Sequence, residues 1–181
     1  MFWRKSTPRA EAETYPTRAA MAEALFRGVG AELGVAGGSF SDEILRRCPE
    51  VTLLWSIDRW SDHHDVREYF SAAERLSVYG VRSRVRRCSF DEAAAVIPDG
   101  SLSFCYLDGY AHTGQDGGAT FEQWWPKLRA GGVMAGHDYH ADWGATKAGV
   151  DAFAARHGAR VRATTEYVPK EEWPSWWVRK P

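Results

Sequence analysis

At 181 residues, 44% of them hydrophobic and 13% aromatic, the chain can bury the core of one ordinary domain without disulfides or a structural metal. Its 23 Lys and Arg against 24 Asp and Glu leave a net charge of -1, which provides no broad basic face for nucleic acid or an anionic membrane. The three cysteines, Cys48, Cys88 and Cys105, lack paired metal-type spacing and read as reduced thiols of a cytoplasmic protein; no stretch approaches the ~20 apolar residues of a membrane span, and Met1 to Ala10 lacks the apolar core of a signal peptide.

Residues 1–16 read as an N-terminal tail, and residues 17–181 as a single domain. Met21, Ala24, Leu25 and Gly28 space a short helix that begins near Thr17. Ala31 to Ala36 is an apolar run entering a glycine turn, and a second helix is expected from an N-cap at Ser39 to Cys48. Val51 to Ile57 has the near-continuous apolar character of a central parallel strand. Residues 62–79 read as helix, closed by Gly80. Val81, Ser83 and Val85 then alternate with Arg82, Arg84 and Arg86, which predicts an edge strand with the valines inward and the arginines outward. A short helix over 91–97 precedes the turn Pro98, Asp99, Gly100, and Leu102 to Leu107 is a buried strand. Phe121, Trp124, Trp125 and Leu128 fit a helix that Pro126 should kink or shorten. Val133 to Gly136 is a fifth strand and Ala145 to His157 a helix; residues 159–164 and 175–179 close the chain as two strands. Strands alternating with helices imply a parallel sheet, with ligand beyond the carboxyl ends of the strands.

Four segments at those ends carry chemistry. Gly34, Gly37 and Gly38 form a G-x-x-G-G turn between the first strand and its helix, where backbone can approach a ligand closely. A plain strand–helix turn has the same composition, and the spacing is not the dinucleotide G-x-G-x-x-G. Asp58 ends the second strand, placed to accept both hydroxyls of a ribose; an isolated Asp there also serves as a helix-capping turn. Asp108 and His112 follow the fourth strand, and His137 and Asp138 the fifth. Neighbouring strands lie ~4.8 Å apart, so Asp108 and Asp138 could face one divalent cation, and His112 or His137 could serve as a base. Ordinary alternatives are helix capping or an arginine partner for Asp138 and a surface loop position for His112. Trp124 and Trp125 are expected in the core by their helical spacing, whereas Trp60 and Trp143 are candidates to touch substrate or adenine.

The ordered set resembles class I S-adenosylmethionine-dependent methyltransferases over roughly residues 17–180. Glu32-Leu33-Gly34-Val35-Ala36-Gly37-Gly38-Ser39 is similar to their first motif and Ile57-Asp58 to their ribose-binding acid. Leu107-Asp108-Gly109, Trp124-Trp125-Pro126 and Gly131 through Tyr139 resemble the subgroup of macrocin O-methyltransferase and the cephalosporin-hydroxylase-like methyltransferases. The resemblance implies a Rossmann-like α/β fold with a seven-stranded sheet of order 3-2-1-4-5-7-6, its last strand antiparallel and helices on both faces. It implies that Glu32, Gly34, Gly37, Gly38 and Ser39 hold the methionine end of S-adenosylmethionine, Asp58 the ribose, and Ser89 and Phe90 the adenine edge, with Asp108 beside the cofactor. Some relatives bind Mg²⁺ through an acid at the Asp108 position and an acidic pair ending the fifth strand; here that pair reads His137-Asp138, so Asp108 and Asp138 remain with one ligand replaced.

The expected activity is methyl transfer to a hydroxyl of a small molecule or sugar, with Asp108, His112 and His137 as catalytic candidates. A nicotinamide-dependent oxidoreductase is the first rival, disfavoured by the glycine spacing and the acids after the fourth and fifth strands. A non-catalytic partner subunit that binds S-adenosylmethionine is the second. No nucleic-acid or membrane partner is expected; a homo-oligomer is compatible with the sequence.

Overall fold

The structure is a computed structural model and describes residues 14–61, 64–109, 116–167, 169 and 173–181. Helix α1 (Arg18–Leu25) starts where the Thr17 hydroxyl accepts the Ala20 N–H, and it buries Met21, Ala22 and Leu25. Strand β1 (Gly28–Leu33) leads through the glycine turn into α2 (Ser39–Arg47). Gly38, in the left-handed region at φ +81°, occupies the N-cap, so Ser39 is the first helical residue instead of the cap. After β2 (Val51–Asp58) comes α3 (Val66–Ser77), which starts later than the periodicity suggests. Asp65 and Glu68 form a reciprocal capping box there that fixes the start.

Strand β3 (Ser83–Arg87) is likewise shorter than expected, because a 3₁₀ turn over Gly80–Arg82 intervenes. Arg84 and Arg86 are exposed and Val85 is half-buried, as predicted. Val81, predicted inward, is 79% exposed within the turn. Arg82 folds back, its guanidinium donating to the carbonyls of Val51 and Cys48 at 2.9 and 3.0 Å. The alternation is correct only from the residue at which the chain becomes extended.

Helix α4 (Phe90–Val96), with a Ser89–Glu92 capping box, precedes β4 (Leu102–Leu107). Helix α5 (Ala119–Trp124) stops short of Pro126, which has no N–H to continue it, and Leu128 opens β5 (Leu128–Gly136). Helix α6 (Gly144–Arg156) and the pair β6 (Arg162–Ala163) and β7 (Trp176–Arg179) complete the chain. The sheet order is β3-β2-β1-β4-β5-β7-β6, with β7 antiparallel to both of its neighbours and the remaining pairs parallel.

Both faces of the sheet are covered. Phe104 and Tyr106 pack with Met21, Ile44, Leu76 and Trp177 under α1, α2 and α3. Cys105 and Leu107 point the other way and pack with Ala93, Phe121, Trp124, Phe153 and Trp176 under α4, α5 and α6. The period of two in β4 and the adjacent tryptophans of β7 thus serve opposite layers. Trp124, Trp176 and Trp177 are fully buried, each removing ~150–250 Å² from water. The described part of the presumed tail is tied down: Thr165 and Glu166 donate to the carbonyls of Tyr15 and Pro16, and Tyr15 packs on Trp177.

Candidate active site

The sheet delivers the candidate residues as a staircase. The Cys88 N–H donates to the Asp58 carbonyl, Gly34 to Ile57, Asp108 to Leu33 and His137 to Leu107, all at 2.8–3.1 Å. Parallel pairing therefore places Gly34, Asp58, Asp108 and His137 together at one edge, at the point where β1 and β4 diverge and strand order reverses. Gly34 is required there: at φ +88°, an added Cβ would stand 2.4 Å from the Asp108 carbonyl oxygen and from Gly109 Cα. The three non-glycine residues with positive φ among those described, Ala36, Trp60 and Asp138, also sit at this edge. Such strain concentrates where surrounding structure enforces a functional geometry.

A cleft of about 800 Å³ opens on the β1–β2 side, lined by Gly34, Asp58, Trp60, Ser89, Phe90 and Gly109, with His64 and the start of α5 at its margin. Asp58 is its organising charge. Its Oδ2 accepts the N–H groups of Val35 and Ala36 at 2.9 and 3.1 Å, its Oδ1 accepts the Trp60 N–H at 3.0 Å, and His64 Nδ1 lies 2.8 Å from Oδ2. Burial pulls the carboxyl upward, but these donors outweigh it and hold Asp58 below the usual carboxylate range. The acid thus clamps the glycine turn to the end of β2. Trp60 is buried against Val35 and Ala72 and donates Nε1–H to the Ala36 carbonyl, so it forms a wall of the cleft and not a free aromatic platform. Trp143 is 39% exposed in a 3₁₀ turn after β5.

The other candidates fall into two groups. Glu32 is fully buried behind the turn; it accepts the Ser41 hydroxyl, which itself contacts Ser56 Oγ at 2.7 Å. Burial pushes its pKa up to about 8, which favours the protonated form at neutral pH. Gly37, Gly38 and Ser39 form the turn into α2 and are not among the residues lining the cleft.

On the β4–β5 side, His137 and Asp138 are both 7% exposed. His137 Nδ1 lies 2.6 Å from Asp138 Oδ1 and 4.0 Å from Asp108 Oδ1, and Arg18 Nη1 lies 3.4 Å from Asp108 Oδ2. Burial opposes charge on His137, but the hydrogen bond to Asp138 and the field of Asp108 win and raise its pKa above the ordinary imidazole value. His137 Nε2 is buried without a hydrogen-bond partner among the described residues. With Nδ1 engaged, Nε2 is the remaining proton-accepting atom of the ring; it is buried, and His137 is not among the residues that line the cleft.

Asp108 and Asp138 are each already engaged by another side chain. The His137 imidazole is on Asp138 and the Arg18 guanidinium on Asp108, so a hard cation, which prefers oxygen ligands, would have to displace both. No group of three or more His, Cys, Asp or Glu side chains suited to a metal occurs among the described residues. His112 and most of the loop after Asp108 lie outside the described residues. Two contributors had no sequence signal: Arg18, ninety positions from the carboxylate it pairs with, and His64, one of two adjacent histidines in a polar loop.

A seven-stranded sheet with an antiparallel last strand, a glycine turn at the switch point and a buried acid after the second strand define the class: a Rossmann-like α/β domain with a switch-point cleft. A family model for a methyltransferase domain matches residues 31–139, and the chain belongs to that family, the class I methyltransferases that depend on S-adenosylmethionine. No curated protein matches by sequence. Among solved structures, the chain is similar to an O-methyltransferase from Bacillus cereus in complex with SAH, at 15% identity over 92% of this chain and 82% of that one, with a TM-score of 0.67. It is also similar to a precorrin-6y C5,15-methyltransferase from Geobacter metallireducens (15% identity, 90% and 87% covered, TM-score 0.67). A spermidine synthase from Thermotoga maritima matches as well (14%, 92% and 58%, TM-score 0.65). At such identities the likeness shows the fold, which different transferases share.

Proposed function

We propose that the chain transfers a methyl group from S-adenosylmethionine to a hydroxyl of a small molecule or sugar, with His137 as the base. Nε2 of His137, without a hydrogen-bond partner among the described residues and oriented through Nδ1 by Asp138, carries this reading. The cofactor supplies a methyl group on a sulfonium, already a good leaving group, so the protein must position the acceptor and accept its proton. Asp58 is assigned to the ribose hydroxyls, Gly34 to close approach of the cofactor, and Ser89 with Phe90 to the adenine edge, since these line one cleft. Nε2 would accept the hydroxyl proton as the acceptor oxygen displaces the sulfur from the methyl carbon, the methyl–sulfur bond breaking to leave neutral S-adenosylhomocysteine, and Asp138 would stabilise the resulting imidazolium. Asp108, neutralised in part by Arg18, keeps a second negative charge beside that imidazole without closing on it. A positioned base is worth ~10²–10⁴-fold and orientation of the two reactants up to ~7–11 kcal/mol.

The reading takes the reaction as metal-independent; it is supported by the imidazole and guanidinium that the Asp138 and Asp108 oxygens already face. The test is release of S-adenosylhomocysteine with panels of hydroxylated and amine acceptors, with and without EDTA. Turnover with hydroxyl acceptors that EDTA leaves intact and His137→Ala removes supports the reading. Turnover with amines alone, or a Mg²⁺-restored rate after chelation, overturns it.

A further inference from the structure

Oδ2 of Asp58 is fully subscribed before any ligand arrives. A carboxylate offers about four lone-pair sites. Asp58 receives four donors, three of them on Oδ2: the N–H groups of Val35 and Ala36 and the imidazole of His64 at 2.8 Å. Among the described residues, Oδ1 receives only the Trp60 N–H. The three backbone donors are fixed by the turn after β1 and the end of β2, whereas His64 is a side chain at the cleft margin, about one-third exposed.

We infer that His64 holds the place of one ribose hydroxyl on Asp58, and that binding a cis-diol displaces it. The inference rests on the reading of Asp58 as the ribose acid and goes beyond it. A ligand with one hydroxyl can use the spare site on Oδ1 with His64 in place. A second hydroxyl reaches the carboxylate only if an Oδ2 donor leaves, and His64 alone can leave without unravelling the glycine turn. The imidazole thereby adds a third donor to Oδ2 in the ligand-free chain, beyond the two backbone N–H groups that already fill it. It also sets the diol's contribution to affinity as the difference between two hydrogen bonds, not the whole of one. His64 is thus a specificity-determining residue for the ribose.

The test is calorimetric titration of the full chain and its His64→Ala variant with S-adenosylhomocysteine and its 2′-deoxy and 3′-deoxy analogues. Removal of the competitor should tighten the diol by about tenfold, the scale of a hydrogen bond to a charged group, and leave at least one deoxy analogue unchanged. Histidine ring resonances that vanish in His64→Ala should shift in the wild-type chain on adding the diol. An equal effect of the substitution on all three ligands, or weaker diol binding in His64→Ala, overturns the inference while leaving the ribose reading intact. If neither chain binds S-adenosylhomocysteine, both fail. His64→Gln, which keeps a donor, should restore weak diol binding; affinity equal to that of His64→Ala also counts against it.

Discussion

On the β1–β2 side of the switch point a single carboxylate, Asp58, is held by backbone N–H groups, and the space beside it stays open as a cleft. On the β4–β5 side three charged or chargeable groups, Asp108, His137 and Asp138, are packed with Arg18 into a nearly closed cluster, and their order comes from one another. Backbone donors hold a charge without moving, which suits a site that must present the same face to a cofactor at each turnover. Side-chain pairs share charge and can pass a proton, which suits a site whose protonation must change within the reaction. The proposed function thus divides the same sheet edge into a rigid binding half and a titratable chemical half.

That division can be broken experimentally. The largest effect is expected at His137: His137→Ala should lower methyl transfer by ~10²–10⁴-fold while affinity for S-adenosylhomocysteine, measured by calorimetry, changes by no more than about twofold. Comparable losses in both would show that the halves are one unit. Gly34→Ala should come next, read as stability: its Cβ would collide with the Asp108 carbonyl and with Gly109 at φ +88°, and the denaturation midpoint should report a loss of roughly 3 kcal/mol. A variant as stable as the parent would mean that the β1 turn and the end of β4 are less tightly joined than the structure shows.

Asp58→Ala sharpens the binding half. Loss of the acid should weaken S-adenosylhomocysteine by ~1–3 kcal/mol and also lower the melting temperature, because the N–H groups of Val35 and Ala36 lose their acceptor. Unchanged affinity would remove Asp58 from the ribose site. The smallest effect is expected behind the turn, at Glu32. Its pKa, pushed up to about 8 by burial, exceeds the ~4.3 of an unfolded glutamate, so the folded chain binds the extra proton between those values. Its contribution therefore favours the folded state at low pH and is lost as pH rises towards about 8. Glu32→Gln should flatten that decline, raising stability at pH 8 by at least about 1 kcal/mol while gaining little at pH 4. A parallel shift at both pH values would mean that Glu32 is not neutral in the folded chain.

Local pattern carried much of the architecture. The apolar runs at Val51 to Ile57 and Leu102 to Leu107, the glycine turn and the acids after each strand are properties of short segments, and together they resembled one family closely enough to imply the strand order. The tertiary structure decided what depends on residues far apart. Glu32 belongs to the same motif as Gly34, yet strand alternation turns it into the core and away from the cleft. Val81 continues the alternation of β3 in sequence, but the left-handed turn at Gly80 leaves it outside the strand. Arg18 reaches Asp108 because α1 packs beside α2 over the sheet edge, a contact ninety residues apart that no local pattern encodes. His64 likewise meets Asp58 through the path of one polar loop. Periodicity fixes which residues are inward and which segments are extended, because those follow from dihedral geometry within a few residues. Which inward charge finds which partner follows from the packing of whole layers, so the composition of the site was legible in the sequence and its pairing was not.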